Sequence, residues 1–186
     1  MAPVRPATRG SQPAPASPID PLAGARKARS CAPMIVPATG DFRLNTDADT
    51  TRFGAAVAGA LRKGEAVCLT GPLGAGKSVL ARGLIRQIAP AEPEVPSPTF
   101  TLVQFYHGER LAIAHFDLYR LERADEAFEL GLDEALADGA AVIEWAEKLG
   151  RHLPRNRLDI EMAIDGETRH VSLRPHGAWE DRPLAL

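Results

Sequence analysis

The chain has only two cysteines in 186 residues, Cys31 and Cys68. Cys31 falls in a proline- and alanine-rich stretch and Cys68 in an apolar, strand-like run. No structural disulfide is expected, and a reducing compartment fits. Long hydrophobic runs are missing too: nothing approaches the roughly 18 apolar residues that suggest a membrane span. The N-terminus carries basic residues but no apolar core, so no secretory leader is expected and the reading is a cytoplasmic protein with no membrane partner. A strong excess of one charge is also absent, but the formal net charge of -2 hides an asymmetry. Residues 1–37 hold Arg5, Arg9, Arg26, Lys27 and Arg29 against the single acid Asp20, a balance of +4 that leaves -6 for the rest. An acidic body argues against a broad surface for gripping nucleic-acid phosphates directly, and leaves open docking to a partner that holds RNA.

Composition also divides the chain. Residues 1–37 contain eight of the sixteen prolines and no helical or strand periodicity. Such a stretch cannot bury enough apolar surface to offset its ordering entropy and reads as a disordered tail. Residues 38–175 read as one domain and 176–186 as a loose C-terminal tail. Within the domain, Phe42 and Leu44 alternate with polar neighbours as in a short strand. Asp47 or Asp49 is expected to cap a helix running to about Leu61, with Phe53, Val57 and Leu61 on one face. Residues 66–70 are almost wholly apolar, as in a buried parallel strand. A helix follows over 78–88, and four prolines make 90–98 a loop. Strands are expected at 101–106 and 111–116, two short helices within 124–137, and a buried strand at 140–143. Residues 157–164 and 168–174 alternate around Asp165-Gly166, a hairpin signal. The class is α/β: a single P-loop NTPase-like domain with a mixed, mostly parallel sheet, helices on both faces and embedded β-hairpins.

The loop from Gly71 to Ser78 carries the chemistry. Gly71-Pro72-Leu73-Gly74-Ala75-Gly76-Lys77-Ser78 fits G-x-x-x-x-G-K-[S/T] completely. Glycines let backbone N–H groups turn inward around phosphates. Lys77 reaches the β- and γ-phosphates, and the Ser78 hydroxyl ligates Mg2+. The helix opening here points its positive end at the same phosphates. Phosphoryl transfer also needs an acid near the metal, at the C-terminal end of a strand beside this loop. Asp117 and Glu144 both qualify. Ser97, Thr99 and Thr101 lie in a hydroxyl-rich segment with two readings, a switch loop that reports the γ-phosphate and ordinary turn chemistry of Ser and Pro. Trp145 follows Glu144 and reads first as packing. His107 and His115 show no metal-ligand spacing and read as structural.

Four motifs now stand in order: Leu73-Gly74-Ala75-Gly76-Lys77-Ser78, Ser97-Pro98-Thr99-Phe100-Thr101-Leu102-Val103, His115-Phe116-Asp117-Leu118-Tyr119-Arg120, and Glu144-Trp145. Together they resemble the motif set of the TsaE (YjeE) family, the small ATPase of bacterial tRNA threonylcarbamoyladenosine synthesis. The resemblance spans about residues 41–174. It implies an ATP and Mg2+ site in which Ser78 and Glu144 contact the metal and Asp117 stands by the phosphates, with Lys77, Asp117 and Glu144 as the catalytic set. Nucleotide contacts are implied at Leu73 through Val79, including Ala75, and at Thr99 and Trp145. Asp47 is placed on the base or sugar side, with Arg169 near the nucleotide. Family members act with TsaB and TsaD, which modify adenosine 37 of tRNA, so RNA is met only indirectly and the ATP cycle keeps the complex turning over. Two departures are visible: Ser78 stands where threonine is more usual, and Ala146 where proline is frequent. The reading competing with this slow, partner-dependent ATPase is a small-molecule kinase, whose arginine-rich lid would have to come from Arg151 to Arg157.

Overall fold

The computed structural model describes residues 34–92 and 94–186. The reading of residues 1–33 as a disordered tail lies outside the described residues. In chain order the strands are β1 (Ile35–Pro37), β2 (Gly40–Leu44), β3 (Ala66–Thr70), β4 (Val103–His107), β5 (Ala112–Asp117), β6 (Ala140–Glu144), β7 (Arg157–Asp165), β8 (Thr168–His176) and β9 (Pro183–Ala185). The α-helices are α1 (Asp47–Ala60), α2 (Lys77–Ile88), α3 (Glu126–Glu129) and α4 (Leu132–Asp138). Seven strands form one mixed sheet in the order β2-β8-β7-β3-β6-β5-β4.

The apolar runs sit where burial on both faces demands them. β3 pairs in parallel with β6 on one side and β7 on the other, and β5 continues the parallel set beyond β6. All five residues of β6 are buried, which only a strand covered on both faces can sustain. The outer pairings are antiparallel: the β4–β5 and β7–β8 hairpins, and β2 against β8. Val67, Leu69 and Val142 face a core shared with α1 and α2. Cys68, Phe116 and Ile143 face the other core, with Ala127 of α3, Leu132 of α4 and Leu149 of the 3-10 segment Ala146–His152. Desolvation there pushes the Cys68 thiol far above its ordinary range, so it packs as a small apolar residue.

α1 buries Phe53, Val57 and Leu61, as their spacing predicts. Its cap is Thr46, not Asp47 or Asp49. Thr46 is extended and its hydroxyl accepts the Asp49 N–H at 3.0 Å, while the Asp49 carboxylate accepts the Asn45 N–H at 3.2 Å. This reciprocal pattern puts the acid at the third helical position, as a capping box does. α1 and α2 then meet backbone to backbone. A Cβ on Gly54 would stand 2.3 Å from the Leu80 carbonyl oxygen, and one on Gly83 would stand 2.3 Å from that of Thr51. Two facing glycines therefore set the position of α2, whose N-terminus opens the glycine loop.

The chain ends differ from expectation. Residues 35–37, assigned to the tail, pair antiparallel with β9, inside the stretch read as loose. Trp179 is fully buried, in the short 3-10 turn Gly177–Trp179, and Leu184 joins the same core. The Arg182 guanidinium lies 4.6 Å from the Trp179 ring, and its Nη2 donates to Glu65 Oε1 at 2.7 Å, both charges being buried. Residues 35–37 and 183–185 thus meet across most of the chain, a long-range pairing that no local periodicity announces.

Two stability predictions follow from this packing. Ala is about 1 kcal/mol better than Gly inside a helix, yet we predict that Gly83→Ala is net destabilising by about 1–2 kcal/mol, because a rigid carbonyl occupies the space. A gain in stability on equilibrium urea unfolding would refute the close contact. By the same measurement, Arg182→Ala should cost about 3–5 kcal/mol by stranding Glu65. Arg174→Ala, which breaks a surface pair with Glu161, should cost less than about 0.5 kcal/mol.

Candidate functional site

β3 ends at Thr70, and the loop beyond it turns by means of Gly71, Gly74 and Gly76, all at positive φ, where a Cβ is disfavoured. Gly76 is also the N-cap of α2 and supplies no side-chain cap. The first turn of α2 thus offers its backbone donors, and the positive end of its dipole, to whatever lies in front of it. Lys77 is buried, and its Nζ donates to the carbonyls of Gly71 (2.7 Å) and Pro72 (2.9 Å). The same ammonium lies 3.7 Å from the centre of the Trp145 ring. Desolvation pushes its pKa down, while Glu144, Glu147 and Asp117 pull it back up.

The two candidate acids stand side by side: Asp117 closes β5, Glu144 closes β6, and they are partners in the parallel register. Both are buried. Their hydrogen bonds separate them. Glu144 Oε2 accepts the Ser78 hydroxyl at 2.7 Å. Asp117 Oδ2 accepts the hydroxyls of Thr99 (2.8 Å) and Ser97 (3.1 Å), and its Oδ1 accepts the Tyr119 N–H at 3.1 Å. Glu144 therefore belongs to the glycine loop and Asp117 to the 97–99 segment.

Backbone strain gathers at the same place. Among the described residues only three non-glycine residues have positive φ, and two of them, Leu102 and Trp145, adjoin the acids. The Leu102 carbonyl accepts the Asp117 N–H at 3.0 Å, tying the segment to β5. The turn at Trp145 lets its ring cover Lys77 and pack against Tyr119, with centroids 5.0 Å apart. Strain of this kind concentrates where geometry serves a site.

These groups surround a cleft of about 390 Å³. Leu73, Gly74, Gly76, Lys77, Ser78 and Val79 form one wall. Thr99, Asp117 and Glu144 form another, and Asp47, Trp145 and Arg169 complete it together with Tyr119. The expected site residues meet here except three: Ala75, whose methyl lies in the α1/α2 core and whose N–H donates to the Pro72 carbonyl, Ser97, which reaches the site only through Asp117, and Thr101, which is exposed and does not line the cleft. Arg169 brings a buried Nε with no hydrogen-bond partner among the described residues. Tyr119 was missed as a wall residue: its motif was visible, but nothing in its spacing assigned it a direction. His107 is exposed and away from the cleft. His115 is fully buried, and its Nε2 lies 2.9 Å from Glu144 Oε1. Lacking metal-ligand spacing, it gave no signal, because its partner is on the neighbouring strand.

A model of the family described as "Threonylcarbamoyl adenosine biosynthesis protein TsaE" matches residues 44–171. The chain belongs to the TsaE family. The matched span runs from the end of β2 into the first four residues of β8 and takes in the whole cleft. Relatives named tRNA threonylcarbamoyladenosine biosynthesis protein TsaE are similar over most of their length. The Rickettsia bellii protein is 36% identical, with 65% of this chain and 84% of that one covered. The Treponema pallidum protein is 39% identical over 62% and 85%, and the Mycobacterium tuberculosis protein 37% identical over 61% and 73%. Among solved structures, Bacillus subtilis YdiB superposes with a TM-score of 0.62 at 26% identity, covering 77% of this chain and 88% of that one.

Proposed function

We propose that this TsaE-family chain is the ATP-binding and ATP-hydrolysing subunit that supports threonylcarbamoylation of adenosine 37 in tRNAs reading codons that begin with A, in a cytoplasmic setting. The observation that carries the reading is the Ser78–Glu144 contact at the mouth of the glycine loop. It sets a hydroxyl and a carboxylate side by side where the metal of a P-loop site belongs.

The residues present fit a nucleotide with Mg2+. An unpartnered Arg169 Nε, the uncapped start of α2 and a buried ammonium all suit an anion. Among the described residues no three His, Cys, Asp or Glu side chains gather into a metal cluster, which suits an ion that keeps several waters and phosphate ligands. Ser78 and Glu144 would hold Mg2+, which supplies neutralisation of charge on the β- and γ-phosphates. Lys77 would release the Gly71 and Pro72 carbonyls and turn to phosphate oxygens. Thr99, now on Asp117, is the group placed to sense the γ-phosphate. Asp47 and Arg169 would flank the base and sugar.

Thr99 is followed by Phe100, which is 82% exposed, and Leu73 of the glycine loop is 75% exposed. Large apolar side chains on a nucleotide-gated rim suit a protein partner, and we assign that surface to the TsaB–TsaD complex, which would carry the tRNA. The transfer itself would be performed by those partners. The kinase reading finds less support, since none of Arg151, Arg155 and Arg157 lines the cleft and Arg157 is engaged with Asp159 at 2.8 Å.

We expect multi-turnover threonylcarbamoylation of tRNA by reconstituted TsaB and TsaD, given threonylcarbamoyl-adenylate and ATP, to be sustained by this protein and not by Lys77→Ala. If reactions with wild type, variant or neither run alike, the tRNA role fails and a small-molecule kinase moves to the front. A second expectation concerns the cleft itself. Saturating ADP should change Trp145 emission as Lys77 leaves its ring, and Trp145→Phe should abolish the change, because Trp179 is buried away from the cleft. Unaltered wild-type emission with ADP shown bound by calorimetry would refute the exchange of Lys77 partners.

A further inference from the structure

β5 and β6 present alternate residues to each face. Ile113 and Val142 pack in the α1/α2 core, so His115, Asp117 and Glu144 share their face of the sheet. In the register His115 pairs with Val142 and Asp117 with Glu144. His115 therefore stands one pleat behind the two acids, and its ring reaches diagonally forward to the neighbouring strand, to Glu144 Oε1 at 2.9 Å. Its exposure is zero, and its Nδ1 has no partner among the described residues. With a carboxylate on one side and nothing on the other, the arrangement that strands no donor is Nε2–H donating to Glu144 and a bare Nδ1 lone pair.

Packing alone does not account for an imidazole here. An apolar ring would fill the space without burying an unmet Nδ1. What the imidazole adds is a grip on one oxygen of Glu144. Glu144 has two partners, Ser78 on Oε2 and His115 on Oε1. If Ser78 turns to a metal, as in the function proposed above, His115 alone still restrains the carboxylate. Metal-binding carboxylates are typically steadied by such outer partners.

We propose that His115 is a positioning residue for Glu144: it holds Oε1 from behind, so that Oε2 is the oxygen aimed at Ser78 and at the Mg2+ site. The inference rests on the nucleotide–Mg2+ reading of the cleft. The test is a Mg2+ titration of binding of the β,γ-imido analogue of ATP, with analogue affinity in EDTA as the reference.

His115→Phe keeps an aromatic ring and removes the donor. It should raise the Mg2+ concentration at half-saturation by about tenfold to a hundredfold and leave affinity in EDTA unchanged. His115→Gln, whose amide reaches the place of Nε2, should recover most of the loss. His115→Asn, whose amide ends near the place of Nδ1, should not. This pair decides the matter even where the phenylalanine variant fails to fold, since both carry a buried amide and differ only in reach. Wild-type Mg2+ dependence in His115→Phe, or equal behaviour of Gln and Asn, would overturn the role of His115. Absence of any Mg2+ effect in the wild-type protein would instead overturn the nucleotide–Mg2+ reading, and this inference with it.

Discussion

Two carboxylates are held side by side, nearly out of water, at the ends of β5 and β6, and the surrounding structure is arranged around that fact. Burying an acid costs several kcal/mol, and burying two together adds their repulsion. No arginine neutralises either one among the described hydrogen bonds. Hydroxyls, a backbone N–H and an imidazole do the work instead: Ser97, Thr99 and the Tyr119 N–H on Asp117, Ser78 and His115 on Glu144. Lys77 adds a positive charge whose ionised form both acids favour. The acids are thus satisfied one by one, each by a different part of the chain, and each therefore ties a different part of the chain to the cleft.

The sheet makes this possible. A parallel register brings strand ends level, so that neighbouring C-terminal residues meet at one rim. Extending the order by β3 places the glycine loop beside them. The orientation of the loop then depends on α2, and α2 is fixed against α1 by the Gly54 and Gly83 contacts with no side chain between the backbones. A shift of α2 by the width of a methyl group would move Ser78 away from Glu144, so packing far from the cleft bears directly on its geometry.

Local patterns carried much of this into the sequence. The glycine loop, the apolar strand before it, the apolar face of α1 and the β7–β8 hairpin are short-range features, and periodicity or turn chemistry marks each of them. The same reasoning placed Asp117 and Glu144 at strand ends but left their roles undivided, because the division lies in which hydroxyl each one meets. The capping of α1 was displaced to Thr46 for a related reason: an acid at the third helical position and an acid at the cap look alike until the backbone is known. The β1–β9 pair and buried Trp179 were illegible, since their partners lie far away in the chain. His115 was read as a structural histidine, and its strand does bury it. Its partner became visible only when the parallel register set β5 against β6.

The arrangement of Lys77 bears on how the cleft would work. The ammonium is not waiting in solvent for an anion; it already has two carbonyls and an aromatic face. Thr99 and Ser97 are likewise already bonded to Asp117. In the proposed function, binding is then an exchange of partners rather than the filling of unmet valences, so the net gain per contact is smaller than the contacts formed suggest. That cost has a use. A ligand shifts a conformational equilibrium only through its difference in affinity for the two states. A phosphate able to draw Thr99 from Asp117 would shift Phe100 at the rim, whereas a nucleotide lacking that phosphate would leave the hydroxyl where it is. Discrimination between the two nucleotides would thus rest on hydrogen bonds the protein makes to itself when no nucleotide is bound.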